Sequence, residues 1–275
     1  MTSVITKAII PVAGWGTRRL PITKAIEKSM LPIGNRPLID YIVRDCLMAG
    51  ITDIYFVISQ GDTQIQKYYS VNQDLNTYLT YNGKQDLLPL VAPPQANFHY
   101  VEQPVNGKYG TAIPIGLCLP YIAKGESVVV MMGDDFIYNA DGSSELMRLK
   151  QATQEGKCSM LTVQIPREEV SRYGVIQFNE NTSMFEKIIE HPTPEQAPSN
   201  YINVSKYILN YEVLQLVKTY TDLEVTGEYW LIEPINQYVL AGGTMQVVPA
   251  RGEFLDGGNV HGWLHANEVV VRQTY

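Results

Sequence analysis

Cysteine is scarce in this chain. Three residues, Cys46, Cys118 and Cys158, stand far apart in 275. They fit neither a disulfide framework nor a zinc-ligand spacing, and they read as small core hydrophobes. No run of about 18 apolar residues occurs, so no transmembrane helix is expected. The opening M-T-S-V-I-T-K lacks a charged segment followed by an apolar one, so no secretory leader is visible and the chain is expected to be cytoplasmic. Positive charge is in deficit: the net charge is −7, which argues against a nucleic-acid or anionic-membrane surface. Internal repeats and low-complexity segments are also missing. What remains is a chain that is 45% apolar, enough to bury a sizeable core in one large α/β domain or two small ones.

The deficit of cations makes their concentration in one place informative. Ala8 to Val12 reads as a short apolar strand, followed directly by Ala13-Gly14-Trp15-Gly16-Thr17-Arg18-Arg19-Leu20-Pro21. A strand running into Gly-x-Gly leaves backbone N–H groups pointing out of the open end of a sheet, where they can cradle phosphate. The pattern is neither G-x-x-x-x-G-K-[ST] nor G-x-G-x-x-G, because Arg19 stands at the third glycine position. Taken alone it is compatible with a tight structural turn. Arg18, Arg19, Lys24 and Lys28 crowd the glycines with positive charge that such a turn does not need, and they point to a nucleoside-triphosphate loop.

The chain then alternates. Pro37 to Ala49 has helical spacing and stops at Gly50; Ile54 to Ser59 is the continuous apolar run of a strand buried on both faces. Thr63 to Leu79 is predicted helical and Tyr81 to Asn97 a loop. Phe98 to Val101 is a third strand, leading past Gln103 into a second glycine-bearing turn at Gly110 and a helix over Thr111 to Leu119. Ser127 to Met132 is the most strand-like run of all and ends at Gly133-Asp134-Asp135. A helix follows over Ser144 to Gln154 and a strand over Met160 to Ile165. Beyond residue 160 the character changes: Tyr173 to Phe178 and Phe185 to Glu190 alternate like a hairpin. A strand is predicted over Tyr201 to Leu209, helices over Glu212 to Thr219 and Tyr229 to Ala241, and a strand over Met245 to Pro249. The expected fold is α/β: a Rossmann-like mixed, mainly parallel sheet flanked by helices, with a smaller antiparallel part. It is expected to be a single domain over 1–275, with a nucleotide-binding half to about residue 160 and a substrate-binding half from about 161.

Carboxylates at the C-terminal ends of strands are costly unless they hold a cation or catalyse. Asp134 and Asp256 each sit there beside glycine. If they converge they suit one Mg²⁺ shared with phosphate oxygens, although either could instead cap a turn. Asp135 is expected to face outward.

The stretch P-V-A-G-W-G-T-R-R-L-P-I-T-K-A-I-E-K-S-M-L-P-I resembles the signature of the bacterial UTP–glucose-1-phosphate uridylyltransferases, within the wider sugar-nucleotide pyrophosphorylases. The similarity continues, in order, through Pro37 to Val43, Ala49 to Ile54, Gln103, Gly110-Thr111-Ala112, Gly133-Asp134, Tyr173-Gly174-Val175, Glu190-x-Pro192, Ala197 to Asn200, Gly227-Glu228 and Asp256-Gly257-Gly258-Asn259. The resemblance implies a Mg²⁺-dependent enzyme that joins UTP and glucose 1-phosphate into UDP-glucose and pyrophosphate by in-line attack. It implies Ala13, Gly14 and Gln103 at the uracil, with Gly16, Thr17 and Gly110 also in the nucleotide site. Arg18 would meet pyrophosphate, Lys28 the α-phosphate, and Asp134 and Asp256 the metal. Gly174 and Glu190 would bind glucose hydroxyls, with His191 beside them. A homo-oligomer is expected by the same resemblance. The sequence departs from the family pattern at Glu27, where proline is usual, and at His191, where lysine is usual. Two other readings therefore stay open: a pyrophosphorylase for another sugar 1-phosphate or nucleotide, and a non-catalytic paralogue that binds nucleotide sugar.

Overall fold

Hydrophobic alternation decides where the sheet lies. In β1 (Lys7–Pro11), Ala8 and Ile10 point into one core and Ile9 into another, and all three are fully buried. A strand covered on both faces must be apolar throughout, which is why it reads as a continuous run. This is a computed structural model; it describes residues 5–105 and 107–274, so residues 1–4 of the stretch read above for a leader lie outside it.

After β1 come a long loop, the ribbon β2 (Pro32–Ile33) and β3 (Arg36–Pro37), helix α1 (Leu38–Met48) and β4 (Asp53–Ser59). Short helices α2 (Gln64–Tyr68), α3 (Gln73–Tyr81) and α4 (Leu88–Val91) precede β5 (Asn97–Gln103), α5 (Ala112–Cys118), β6 (Val128–Met131), β7 (Asp135–Tyr138), α6 (Glu145–Ala152) and β8 (Cys158–Gln164). The remainder comprises β9 (Gly174–Asn179), β10 (Met184–Glu190), β11 (Tyr201–Leu209), α7 (Tyr211–Asp222), α8 (Ile232–Leu240), β12 (Met245–Pro249), β13 (Glu253–Asp256) and α9 (Val260–Thr274).

Nine strands form one sheet in the order β5-β4-β1-β6-β11-β8-β12-β10-β9. The first four are mutually parallel; β11 runs antiparallel to both β6 and β8, and the β9–β10 hairpin closes the far edge. The sheet is therefore mixed, as expected, with a four-strand parallel block drawn from the first half of the chain and a further parallel pair, β8 with β12. Helices α1, α6 and α9 cover one face through Ile39, Ile42, Leu149, Ala266 and Val270. Helices α5, α7 and α8 cover the other through Ile115, Val213, Val217 and Ile235. All three cysteines are buried and free. From β1 the chain moves outward to β4 and β5, then returns to place β6 on the other side of β1. That reversal opens a crevice at the C-terminal ends of β1 and β6, the place where open α/β sheets bind ligands.

Three predicted elements differ. The helix expected over Thr63 to Leu79 is broken into α2 and α3, because Asn72 turns the chain and caps α3, its Oδ1 accepting from Leu75 N at 3.0 Å. The loop expected over Tyr81 to Asn97 contains α4. The helix expected from Tyr229 begins only at Ile232, because Tyr229 is held by another segment: its N–H donates to Tyr109 O at 2.9 Å and its carbonyl accepts from Ala112 N at 2.8 Å. Pro234 then falls in the first turn of α8, where a missing N–H costs nothing.

Candidate active site

The turn after β1 is built around Gly16. Its φ of +61° is left-handed, and a Cβ there would stand 2.9 Å from Thr23 Cγ2 and 3.2 Å from Lys28 Cβ. Only glycine meets both demands. The single turn Thr17–Arg19 follows, with Arg18 exposed and Arg19 buried. The next stretch folds back, so that the Lys28 ammonium lies over Gly14; a Cβ at Gly14 would be 3.3 Å from Nζ.

Lys28 arrives from the loop and Asp134 from the end of β6, and they meet: Nζ to Oδ2 is 2.8 Å. Burial acts against both charges, yet the partners overcome it. Asp134 and Glu27 leave the Lys28 ammonium raised, and Lys28, Lys206 and Arg18 leave the Asp134 carboxyl lowered. Asp256 comes from the other side of the sequence. Strand β13 pairs antiparallel with β7, which sets Asp256 opposite Asp135, and Gly257 N donates to Asp134 O at 2.9 Å. The Asp256 carboxylate is aimed by its own loop, Oδ1 accepting from Gly258 N at 2.7 Å and Oδ2 from Asn259 Nδ2 at 3.0 Å.

Of the residues singled out from the sequence, Ala13, Gly14, Lys28, Gln103, Gly110 and Asp134 line one cavity of about 430 Å³. Gly16 and Thr17 carry the turn at its edge. Arg18 leans to the Asp256 loop, its Nη2 3.5 Å from where a Gly258 Cβ would be. At Gly110 the close approach is to protein: φ is +119°, and a Cβ would lie 2.4 Å from Tyr229 N. The glycine therefore seats the Tyr229 segment against the cavity wall.

Gly174, Glu190 and His191 form a second group, and none of them lines that cavity. Gly174 and Glu190 are cross-strand partners, and a Cβ at 174 would be 2.8 Å from Glu190 Oε1. Glu190 and Asp135 both add to the burial that raises the Tyr207 hydroxyl, so the hairpin and the β6 end share a neighbour. His191 has a left-handed backbone, φ +47°, and its Nδ1 is 3.1 Å from Ser171 O.

Asp135 does not face outward. It pairs with Lys206, which is 1% exposed in the middle of β11 and also donates to Val204 O at 3.2 Å. Burial pushes the Asp135 carboxyl up to about 6 against the pull of Lys206. Glu27, instead of reaching the pocket, accepts from Ser29 N at 2.7 Å and from Ser29 Oγ, capping the turn that carries Lys28.

The sequence profile of the family described as nucleotidyl transferase matches residues 7–273. The chain belongs to the nucleotidyl transferase family. It is similar to the UTP–glucose-1-phosphate uridylyltransferase of Haemophilus influenzae, 32% identical over 273 residues that cover 94% of this chain and 91% of that one. The protein of the same name from Pseudomonas aeruginosa is 29% identical over 278 residues, covering 99% and 98%. Among solved structures, the UDP-glucose pyrophosphorylase of Acinetobacter baumannii matches with a TM-score of 0.85 at 28% identity, over 97% of this chain and 93% of that one. A UTP-bound form from the same organism gives 0.85 at 27% identity, over 96% and 93%.

In this nucleotidyl transferase the residues that sequence reasoning missed are the buried charges. A lysine in the middle of Y-I-N-V-S-K-Y-I-L was the available signal for Lys206, because a strand buried on both faces admits a cation only beside a carboxylate. Arg19, read with Arg18, Lys24 and Lys28 as a cation of the triphosphate loop, is instead buried and donates to Gly257 O and Asn259 O, and nothing local told it from Arg18. Its neighbour Arg18 looks the same in sequence and lies on the opposite side of the turn. No helix among the described residues is long and apolar enough to cross a membrane.

Proposed function

We propose that this chain is a UTP–glucose-1-phosphate uridylyltransferase. The observation that carries the proposal is the meeting of Lys28, from the glycine loop, with Asp134, from the β6 end, 2.8 Å apart beside Gly14 and next to the Asp256 loop. Phosphoryl chemistry needs charge neutralisation and alignment more than covalent help, and this arrangement supplies both.

The nucleotide lies in the 430 Å³ cavity, its uracil against Ala13, Gly14 and Gln103. Gly16 and Thr17 present backbone N–H groups to the phosphates. Gly174 and Glu190 take glucose hydroxyls, and His191 lies beside them on the sugar side. A phosphate oxygen of glucose 1-phosphate attacks the α-phosphorus of UTP. The bond from that phosphorus to the bridging oxygen breaks, and the electron pair leaves with pyrophosphate. Lys28 neutralises charge at the α-phosphate and Arg18 on the leaving pyrophosphate. Asp134 and Asp256 offer two hard carboxylates at adjoining strand ends. Asp135 is held by the buried Lys206 and Asp134 by the more accessible Lys28, while Asp256 makes no ion pair among the described residues. Such a sparse set, completed by phosphate oxygens and water, suits Mg²⁺, which when bound offsets the charge of two polyanions. Cytoplasmic location and a homo-oligomeric state go with this reading.

The test is pyrophosphate release from UTP, Mg²⁺ and a panel of sugar 1-phosphates, with products read by mass spectrometry. UDP-glucose formation is the expected result. Silence with every sugar overturns the reading and leaves a nucleotide-sugar-binding protein.

A further inference from the structure

Arg19 and Arg18 are adjacent in a single 3₁₀ turn, so their side chains leave in different directions. Arg18 is exposed at the phosphate side. Arg19 is 4% exposed and crosses beneath the loop that carries Asp256. Its Nη1 donates to Gly257 O at 2.7 Å and to Asn259 O at 3.1 Å, the carbonyls on either side of Gly258. The guanidinium also lies 5.1 Å from the centroid of the Trp263 ring, and Trp263 is fixed in turn by its Nε1 donating to Pro32 O at 2.8 Å.

The carbonyls held by Arg19 belong to the turn whose N–H and amide groups aim the Asp256 carboxylate: Gly258 N bonds Oδ1 and Asn259 Nδ2 bonds Oδ2. Burial works against the Arg19 charge, and Asp256 works to keep it. A buried guanidinium is costly, and here the two N–H groups of a single Nη1 hold both carbonyls while the flat group lies beside the Trp263 ring. On the other side, Arg19 N donates to Gly16 O at 2.8 Å, within the glycine turn itself. One residue thus ties the triphosphate loop to the loop of a carboxylate more than two hundred positions away.

The geometry assigns Arg19 as a positioning residue that locks the Asp256 carboxylate to the glycine loop, so that the metal-holding group and the phosphate cradle move as one unit. It touches no reacting atom. The assignment rests on the function proposed above and gives Arg19 a place other than the phosphate-facing one its sequence position suggested.

The test compares wild type with Arg19→Met and Arg19→Lys in the full chain. Mn²⁺ is titrated into protein saturated with UDP-glucose, and free ion is read by electron paramagnetic resonance. UDP-glucose affinity without metal is measured alongside. Arg19→Met should weaken Mn²⁺ binding about tenfold and lower kcat, while metal-free UDP-glucose affinity and the KM for UTP change by less than about twofold. Arg19→Lys, which keeps the charge but reaches one carbonyl, should fall between. If Arg19→Met does not fold, the Lys variant decides alone. A folded variant that binds Mn²⁺ as wild type does, with only a lower Tm, overturns the inference. A wild type that neither binds Mn²⁺ nor releases pyrophosphate overturns the underlying function and this inference with it.

Discussion

Lys28 Nζ stands 2.8 Å from Asp134 Oδ2. On the function proposed above, the cation meant for phosphate and the carboxylate meant for the metal neutralise each other. Neither charge is left uncompensated in the half-buried pocket beside Gly14, where the proposed function puts the triphosphate. A preorganised pair of this kind costs little reorganisation when a polyanion enters.

Replacing Lys28 by Met should lower kcat for UDP-glucose formation by about 10²–10³, the usual cost of one electrostatic contact in a closed site. Asp134→Ala should abolish Mg²⁺-dependent pyrophosphate release. Steady-state kinetics beside circular dichroism checks both; near-normal turnover in a folded Asp134→Ala would sink the metal assignment.

Glu27 should make stability depend on pH. Burial pushes its carboxyl up to about 7 from 4.5, and its Oε1 has no hydrogen-bond partner among the described residues. Between those values the folded state holds a proton that the unfolded chain has lost. The stabilisation is full below pH 4.5 and is lost as pH rises toward 7, with no further change above it. The decline is on the order of 3 kcal/mol. Urea unfolding across this window should show a shallower slope in Glu27→Gln; parallel curves would remove Glu27 as the cause.

Lys206→Met should destabilise by about 3–5 kcal/mol, because it strands the Asp135 carboxylate without its partner. Adding Asp135→Asn should restore much of the loss. Chemical denaturation of the two single variants and the double completes a cycle, and an additive double variant would argue against coupling.

His191→Lys should leave activity equal or raise it, since lysine is the usual residue of the family at this position and would bring a cation to the sugar-phosphate side. The measurement is kcat/KM for glucose 1-phosphate. A large loss would give the histidine, or its left-handed backbone and bond to Ser171 O, a role of its own.

Much of the fold was legible because its signals are local. Continuous apolar runs marked β1, β4 and β6, and the Gly-x-Gly pair marked the tight turn after β1. The failures were of another kind. Thr63 to Leu79 looked like one helix because periodicity outweighed a single capping Asn72. Tyr229 looked helical because nothing in the sequence says that the backbone around Tyr109 and Ala112 will claim its hydrogen bonds. Asp135 looked like a solvated neighbour because its partner, Lys206, lies on a different strand.

The sequence by itself determined the family, the strand ends that bear carboxylates and the loop that bears glycine and positive charge, since each is a property of adjacent residues. Tertiary structure alone decided which charges meet. Lys28 with Asp134, Lys206 with Asp135 and Arg19 with the Asp256 loop are pairings between segments far apart in the chain, set by the return of β6 beside β1 and the pairing of β13 with β7. A buried charge is stable only beside its partner, and the partner is chosen by sheet order, which no local pattern encodes.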